Sequence, residues 1–214
     1  MKKSTLFALL VLMAAAAGIP AFSADRASIV YTEGTVTLNG SPAAVGDEVP
    51  AGALVQTGAD SLCQIVFNAR NIIHMAAETS MRLDPSVVSR GATLQKGTIA
   101  MVLRNLAPGK PGEARFSIRT SSTVAGVRGT CFLVRVEDDN NTYICCCNGA
   151  IHLEGTSGQF TRNIAAPHHR EVRITRSDTG VSMTAAPMLY HSDADVEAIA
   201  ARIGEKIDWT TIDK

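Results

Sequence analysis

Gly34-Thr35-Val36-Thr37-Leu38-Asn39-Gly40 decides the fold class, because the interval it opens repeats. Glycine returns at every sixth position, at Gly34, Gly40, Gly46, Gly52 and Gly58. Short extended pieces joined by tight turns fit this spacing. Between and beyond the turns, β-forming residues alternate, a period-two pattern that puts one residue in two on the same face of a strand. Val36 and Leu38 form one such set, and Cys63, Ile65 and Phe67 the next. Ile99, Met101 and Leu103, Phe116 and Ile118, and Phe132 and Val134 continue it. Strands are therefore expected to dominate to about residue 154. A strict left-handed hexapeptide β-helix does not fit, since that fold needs an aliphatic residue at a fixed place in each turn. Only Val45 meets the requirement, and Glu33, Asn39, Ala51 and Thr57 precede the other glycines. The expectation is a mainly β domain, either solenoid-like or a sandwich, with a surface loop at Pro108, Gly109, Pro111 and Gly112.

Outward from this domain, the two ends of the chain differ from it in kind. At the start, Lys2 and Lys3 precede a 12-residue uncharged apolar run from Leu6 to Ala17. That is the profile of a secretory leader, and the run falls short of the roughly 20 residues that span a bilayer. Pro20 breaks any helix, and Ala21-Phe22-Ser23 offers small residues where a signal peptidase reads. Cleavage is expected after Ser23, with an uncleaved membrane anchor as the alternative. No later segment is apolar enough to span. At the other end, residues 155–190 form a less regular stretch. The alternating Glu171-Val172-Arg173-Ile174 within it predicts one or two further strands. A helix then follows. Ser192 is a good N-cap, Asp193 and Asp195 sit where the helix dipole favours acids, and Val196, Ile199, Ile203 and Ile207 make an apolar stripe. Short helices need tertiary packing, so the stripe is expected to dock on the β domain. The organisation is a leader at 1–23, a β domain at 24–154, and an extension at 155–214 with strands and a C-terminal helix.

Charge excludes one class of partner. Removing the leader leaves 18 Lys and Arg against 20 Asp and Glu. The basic residues are scattered, the densest group being Arg170, Arg173 and Arg176, which is expected to be solvated surface. A nucleic-acid ligand needs a clustered basic face, so none is expected.

With these residues on the page, the stretch from Gly34 through Val134 resembles the FecR domain of bacterial envelope signalling proteins. The matching elements are Glu33-Gly34-Thr35-Val36, the turn Val45-Gly46-Asp47, Leu54 through Ser61, the strand Cys63 to Phe67, and Leu94 with Lys96-Gly97. Most specific is Phe116 to Thr120 followed by Val124-Ala125-Gly126-Val127-Arg128-Gly129-Thr130. The resemblance implies an all-β, solenoid-like domain in the periplasm that binds another protein or a ligand. FecR-type transducers place a cytoplasmic anti-sigma segment and one membrane span before this domain. Here a leader stands in their place, so the resemblance does not carry direct control of a sigma factor.

The strongest chemical signal is Cys145-Cys146-Cys147, followed by His168-His169 and by His191-Ser192-Asp193. In a strand Cys145 and Cys147 share a face while Cys146 points away. Two thiolates with imidazoles returning from later segments make a Cys₂His₂ set suited to zinc or iron. The expected ligands are Cys145, Cys147, His169 and His191, with Asp193 orienting His191. His168 and His169 cannot both turn inward from an extended segment. The pattern is similar to a subgroup of exported FecR-like proteins with a Cys-x-Cys-x-Gly strand, paired histidines and a His-Ser/Thr-Asp helix start. Asn148 stands where that subgroup has an aromatic residue.

Other readings of the same residues are blander. Cys63 and Cys131 are expected in the core or as a disulfide pair, His74 in a strand, and His152 beside Glu154. All five cysteines belong to the mature chain, and an odd count leaves at least one thiol outside any internal disulfide. A cysteine nucleophile with His169 or His191 as base is chemically possible, but no oxyanion-hole motif or phosphate loop accompanies it. The Cys-x-x-Cys-His of c-type haem attachment is absent. The expected function is a periplasmic, non-enzymatic binding or sensing module for a protein or envelope ligand, the alternative being a metal- or redox-responsive sensor built on the Cys/His set.

Overall fold

The computed structural model describes residues 27–84, 91–104, 106, 116–127, 129–156, 158 and 160–212. The leader and the Pro108 to Gly112 loop lie outside them. Eight short strands occupy the glycine-rich part: β1 (Ala27–Glu33), β2 (Val36–Leu38), β3 (Ser41–Pro42), β4 (Glu48–Val49), β5 (Ala53–Thr57), β6 (Leu62–Phe67), β7 (Asn71–Met75) and β8 (Ser80–Asp84). Each of the five glycines of the six-residue interval falls between two of them. Then come β9 (Gly91–Leu103), β10 (Phe116–Arg119), β11 (Thr123–Val127), β12 (Thr130–Val136) and β13 (Asn141–Gly155). The extension adds β14 (Thr161–Ala166), β15 (Arg170–Ser177), β16 (Gly180–Ala185) and one helix, α1 (Asp193–Ala201).

The strands form two layers. The first runs β4-β1-β6-β7-β9-β12-β13-β15-β16. The second runs β3-β2-β5-β8-β9-β10-β11-β13-β14. Among the described residues only the β9–β10 pair is parallel. Two long strands, β9 and β13, belong to both layers and hold them together. β9 pairs with β8 up to Lys96 and with β12 from Gly97, while β13 pairs with β12 up to Asn148 and with β14 from Gly149. Both crossings occur at a glycine with positive φ, +88° at Gly97 and +122° at Gly149. A β-carbon there would come within 2.4 Å of Thr79 and 2.8 Å of Thr130 respectively, so no side chain fits. Of the two architectures expected, this is the sandwich, with shared strands.

The space between the layers is the main core. Ile65, Phe67, Met75, Met101, Phe132 and Val134 enter it from the first sheet, and Val55, Met81, Leu94, Phe116 and Leu153 from the second. Phe67 and Phe116 stack across the gap with ring centroids 5.3 Å apart, a geometry worth about 0.5–1.5 kcal/mol beyond the area buried.

A second apolar layer lies on the outer face of the first sheet. Ile72, Val102, Leu133 and Tyr143 are buried there under Val196, Ile199 and Ala200 of α1. The helix begins where the sequence predicts. Ser192 and Asp195 cap it reciprocally, each side chain bonding the other's backbone. It ends earlier than the apolar stripe implies. Ile203 and Ile207 lie beyond its last turn, yet still pack against the same layer. The extension holds three strands rather than one or two, and they continue the two sheets. Among the described residues no helix is long and apolar enough to cross a membrane.

Candidate metal centre

β13 sets the geometry. Its alternation sends Ile144 and Cys146 into the core between the sheets and Tyr143, Cys145 and Cys147 to the outer face. Cys145 and Cys147 have 0% and 1% of their surface exposed. Their sulfurs lie 3.6 Å apart. His168 and His169 form the turn from β14 into β15, laid beside β13 by the hydrogen bond from the His169 N–H to the Cys147 carbonyl. A left-handed backbone at His169, φ +36°, turns its ring inward. Tyr190, also left-handed at φ +69°, does the same for His191 at the entrance to α1. Such conformations cost of order 1–3 kcal/mol each in non-glycine residues and concentrate at functional sites.

The four expected ligands come together, and all their donor atoms lie within 4.8 Å of one another. His169 Nδ1 is 3.2 Å from Cys145 Sγ, His191 Nε2 is 3.3 Å from Cys147 Sγ, and the two imidazole nitrogens are 3.3 Å apart. A tetrahedral ion with Zn–S and Zn–N bonds of ordinary length needs separations of about 3.8 Å between sulfurs, about 3.3 Å between nitrogens and about 3.6 Å between sulfur and nitrogen. The observed edges agree within a few tenths of an ångström.

The far side of each ring is engaged as well. His191 Nδ1 donates to the Leu189 carbonyl at 2.9 Å, and His169 Nε2 donates to Asp193 Oδ1 at 2.8 Å. Both bonds keep a proton on the outer nitrogen, so that a neutral ring presents a lone pair, and a protonated ring a second N–H, toward the sulfurs. The carboxylate's partner differs from expectation. Asp193 serves His169 and, through its other oxygen at 3.0 Å, the half-exposed His168, not His191. Asp193 is the first residue of α1, and its side chain reaches the β14–β15 turn rather than the histidine two positions before it.

Electrostatics follow this geometry. A hydrogen bond donated by the Cys147 thiol, with further ones from His169 and His191, draws Cys145 down to about 4 against the opposing effect of burial. Burial and the negative Cys145 beside it push Cys147 well up, so the pair carries one charge. Burial works against charging His169 and His191, but the Cys145 sulfur outweighs it and raises both. Cys146, facing the core, is pushed up to about 12 by burial.

The remaining residues fall where the blander expectations put them. Cys63 is wholly buried in the inner core and Cys131 in the outer layer, on opposite faces of one sheet, and no disulfide joins any of the five cysteines. His74 lies in β7 beside Gln64, and His152 is 3.1 Å from Glu154. Arg170 and Arg176 are exposed, while Arg173 makes a two-pronged contact with Glu137 at 2.6 and 2.8 Å. Two participants carried no sequence signal. Trp209 stacks on His169 with centroids 5.1 Å apart. The buried Asn148 donates its side-chain amide to the carbonyls of Pro167, Asp208 and Thr211 at 2.8–3.0 Å.

Comparison with known proteins covers part of this arrangement. Two crystal structures of a "putative anti-sigma factor" from Parabacteroides distasonis ATCC 8503, at 2.50 and 1.65 Å resolution, are similar to it. Each is 13% identical with a TM-score of 0.48, over 62% of this chain and 59% of that one. The chain thus spans about three fifths of their length. No curated protein sequence matches it. The family model described as FecR protein matches residues 53–152, starting later than the Gly34 of the sequence resemblance and reaching past its Val134 end. Cys145 and Cys147 lie inside the match, His169 and His191 beyond it. The stretch from β5 to the far half of β13 is thus the part of this chain that matches the FecR family.

Proposed function

We propose that this protein is a non-enzymatic FecR-domain module, working outside the cytoplasm, that holds one zinc or iron ion at Cys145, Cys147, His169 and His191 and senses through it. The observation that carries the metal is the convergence of two sulfurs and two imidazole lone pairs on one buried point. Two sulfurs and two imidazole nitrogens packed within 4.8 Å of one another are the atom types and spacing that a tetrahedral zinc or iron ion takes. Four protein ligands leave no open position for a substrate, which is the arrangement of structural rather than catalytic sites. The run Cys145, His169, Asp193 has the order of a nucleophile, a base and an orienting acid. Cys145 exposes no surface, so an incoming carbonyl carbon does not reach its sulfur. The leader with its Ala21-Phe22-Ser23 site supports export, and the FecR match supports recognition of a protein or envelope partner.

One preparation tests both halves. Protein recovered anaerobically from the periplasmic fraction should begin at Ala24 and contain one equivalent of zinc or iron by elemental analysis. The Cys145→Ser, Cys147→Ser double variant should contain none. A metal-free wild type whose stability does not respond to added zinc removes the metal reading, and an uncut chain in the cytosolic fraction removes export.

A further inference from the structure

We infer that the ion, by holding His191, latches the C-terminal segment 186–212 onto the outer face of the first sheet, and that its loss releases this segment while the sandwich stays folded. This rests on the metal reading above and adds how occupancy would be read out.

The inner core owes nothing to the segment, since each of its residues precedes residue 186. Among the described residues, the backbone hydrogen bond from Ala186 to Glu171 is the one that ties the segment to a strand. Its helix has nine residues, too few to persist without packing. What fastens the segment is concentrated at the cluster. Near its start, His191 is one of the four donors. Near its end, Trp209 lies over His169, and the Asp208 and Thr211 carbonyls accept from Asn148, the residue after Cys147. Between these points α1 covers Ile72, Val102 and Leu133. Three ligands belong to the sandwich and one to the segment, so the ion bridges the two.

Tyr190, left-handed at φ +69° immediately before His191, is anchored on the same face, its hydroxyl donating to Glu137 at 2.8 Å and its ring edge-on to Tyr143. Elsewhere the segment is held by Glu205, whose largely buried carboxylate meets the exposed Arg70 and the largely buried Arg104, by the Tyr143 hydroxyl accepting from Leu189, and by the Tyr190 hydroxyl donating to Glu137. The contact to the exposed Arg70 contributes little. Release would uncover an apolar strip along β7, β9 and β12, converting metal loss into a change of surface.

Hydrogen exchange read by mass spectrometry on the full mature chain, loaded with zinc(II) or stripped by a chelator, tests the latch, with metal measured on the same samples. In the stripped protein, exchange across residues 193–207 should be faster by about ten-fold or more, while residues 130–136 of β12 keep their protection. Equal protection of 193–207 in a sample shown to have gained and lost one zinc overturns the latch and leaves the metal site standing. Loss of protection at 130–136 as well overturns it in another way, since the ion would then support the whole fold. A chain that takes up no zinc removes the metal reading and the latch together.

Discussion

The two faces of the first sheet are built from the same strands and used for different ends. Toward the second sheet, Phe132, Ile144 and Cys146 join an apolar core whose other side chains arrive on other strands. Toward α1, their neighbours Leu133, Tyr143, Cys145 and Cys147 meet the segment that follows β16 together with the β14–β15 turn, and the apolar layer is interrupted by two sulfurs and two imidazoles. Cys145 and Cys146 are adjacent and equally buried, yet the Cys147 thiol and the two imidazoles draw the first down to about 4, while burial pushes the second up to about 12. Residue type does not decide the role of a cysteine here. The face does.

The largest effect that separates the faces should come from the inner one. Phe132 has 1% of its surface exposed and lies between the sheets, so Phe132→Ala should lower unfolding stability by about 3–5 kcal/mol. Denaturant titration reads that loss. Folded protein from the same preparation should still bind a full equivalent of zinc, because no ligand is carried on that face. If metal content falls in proportion to stability, the two faces are one cooperative unit and the contrast fails.

A smaller effect is confined to the outer face. Asp193 accepts from His169 Nε2 and lies beyond the donor set itself. Its carboxylate is held below the usual range by the hydrogen bonds from His168 and His169, which outweigh the opposing effect of burial. Carboxylates in this position raise the basicity of a ligating imidazole, and losing one lowers metal affinity by roughly 10–100-fold. Asp193→Asn should weaken zinc binding by about that factor in competition with a chelator dye. His168→Ala, which removes the carboxylate's other partner, should change affinity far less. Equal effects from the two variants would mean that the turn as a whole, and not the His169 bond, sets affinity.

Much of this was legible in the sequence, and what was not has physical causes. Alternation and the glycine interval predicted strands and turns, because both are local. The crossings of β9 and β13 were not visible, since a period-two pattern runs through a bend unchanged and does not say which sheet a residue faces. Only the close approach of Thr79 and Thr130 reveals why Gly97 and Gly149 are required. The pairing of Cys145 with Cys147 was legible because strand alternation alone puts them on one face, whereas the choice of His169 over His168 assumed an extended segment and the two histidines instead lie in a turn, with His169 left-handed at φ +36°. The partner of Asp193 was misassigned to His191 for want of the helix's direction, which points the first turn back at the β14–β15 corner. Trp209 and Asn148 depend on the path of the chain after α1, and nothing in their spacing announces it.

The finest test changes the middle cysteine alone. Cys146 is fully buried in the inner core, and its sulfur contacts the Gly149 carbonyl at 3.5 Å, beside the bend where β13 changes sheets. Buried cysteine there acts as a small hydrophobe, so Cys146→Ala should cost about 1 kcal/mol, the scale of an Ile→Val truncation. Metal stoichiometry and affinity should match the wild type, and a thiol count on the metal-loaded, folded protein should change little, because Cys146 is already shielded. If zinc were lost in this variant although the protein stayed folded, the alternation of β13 would not be what sorts the three sulfurs. The ion would then have to draw on the strand's other face, which the core between the sheets leaves no room for.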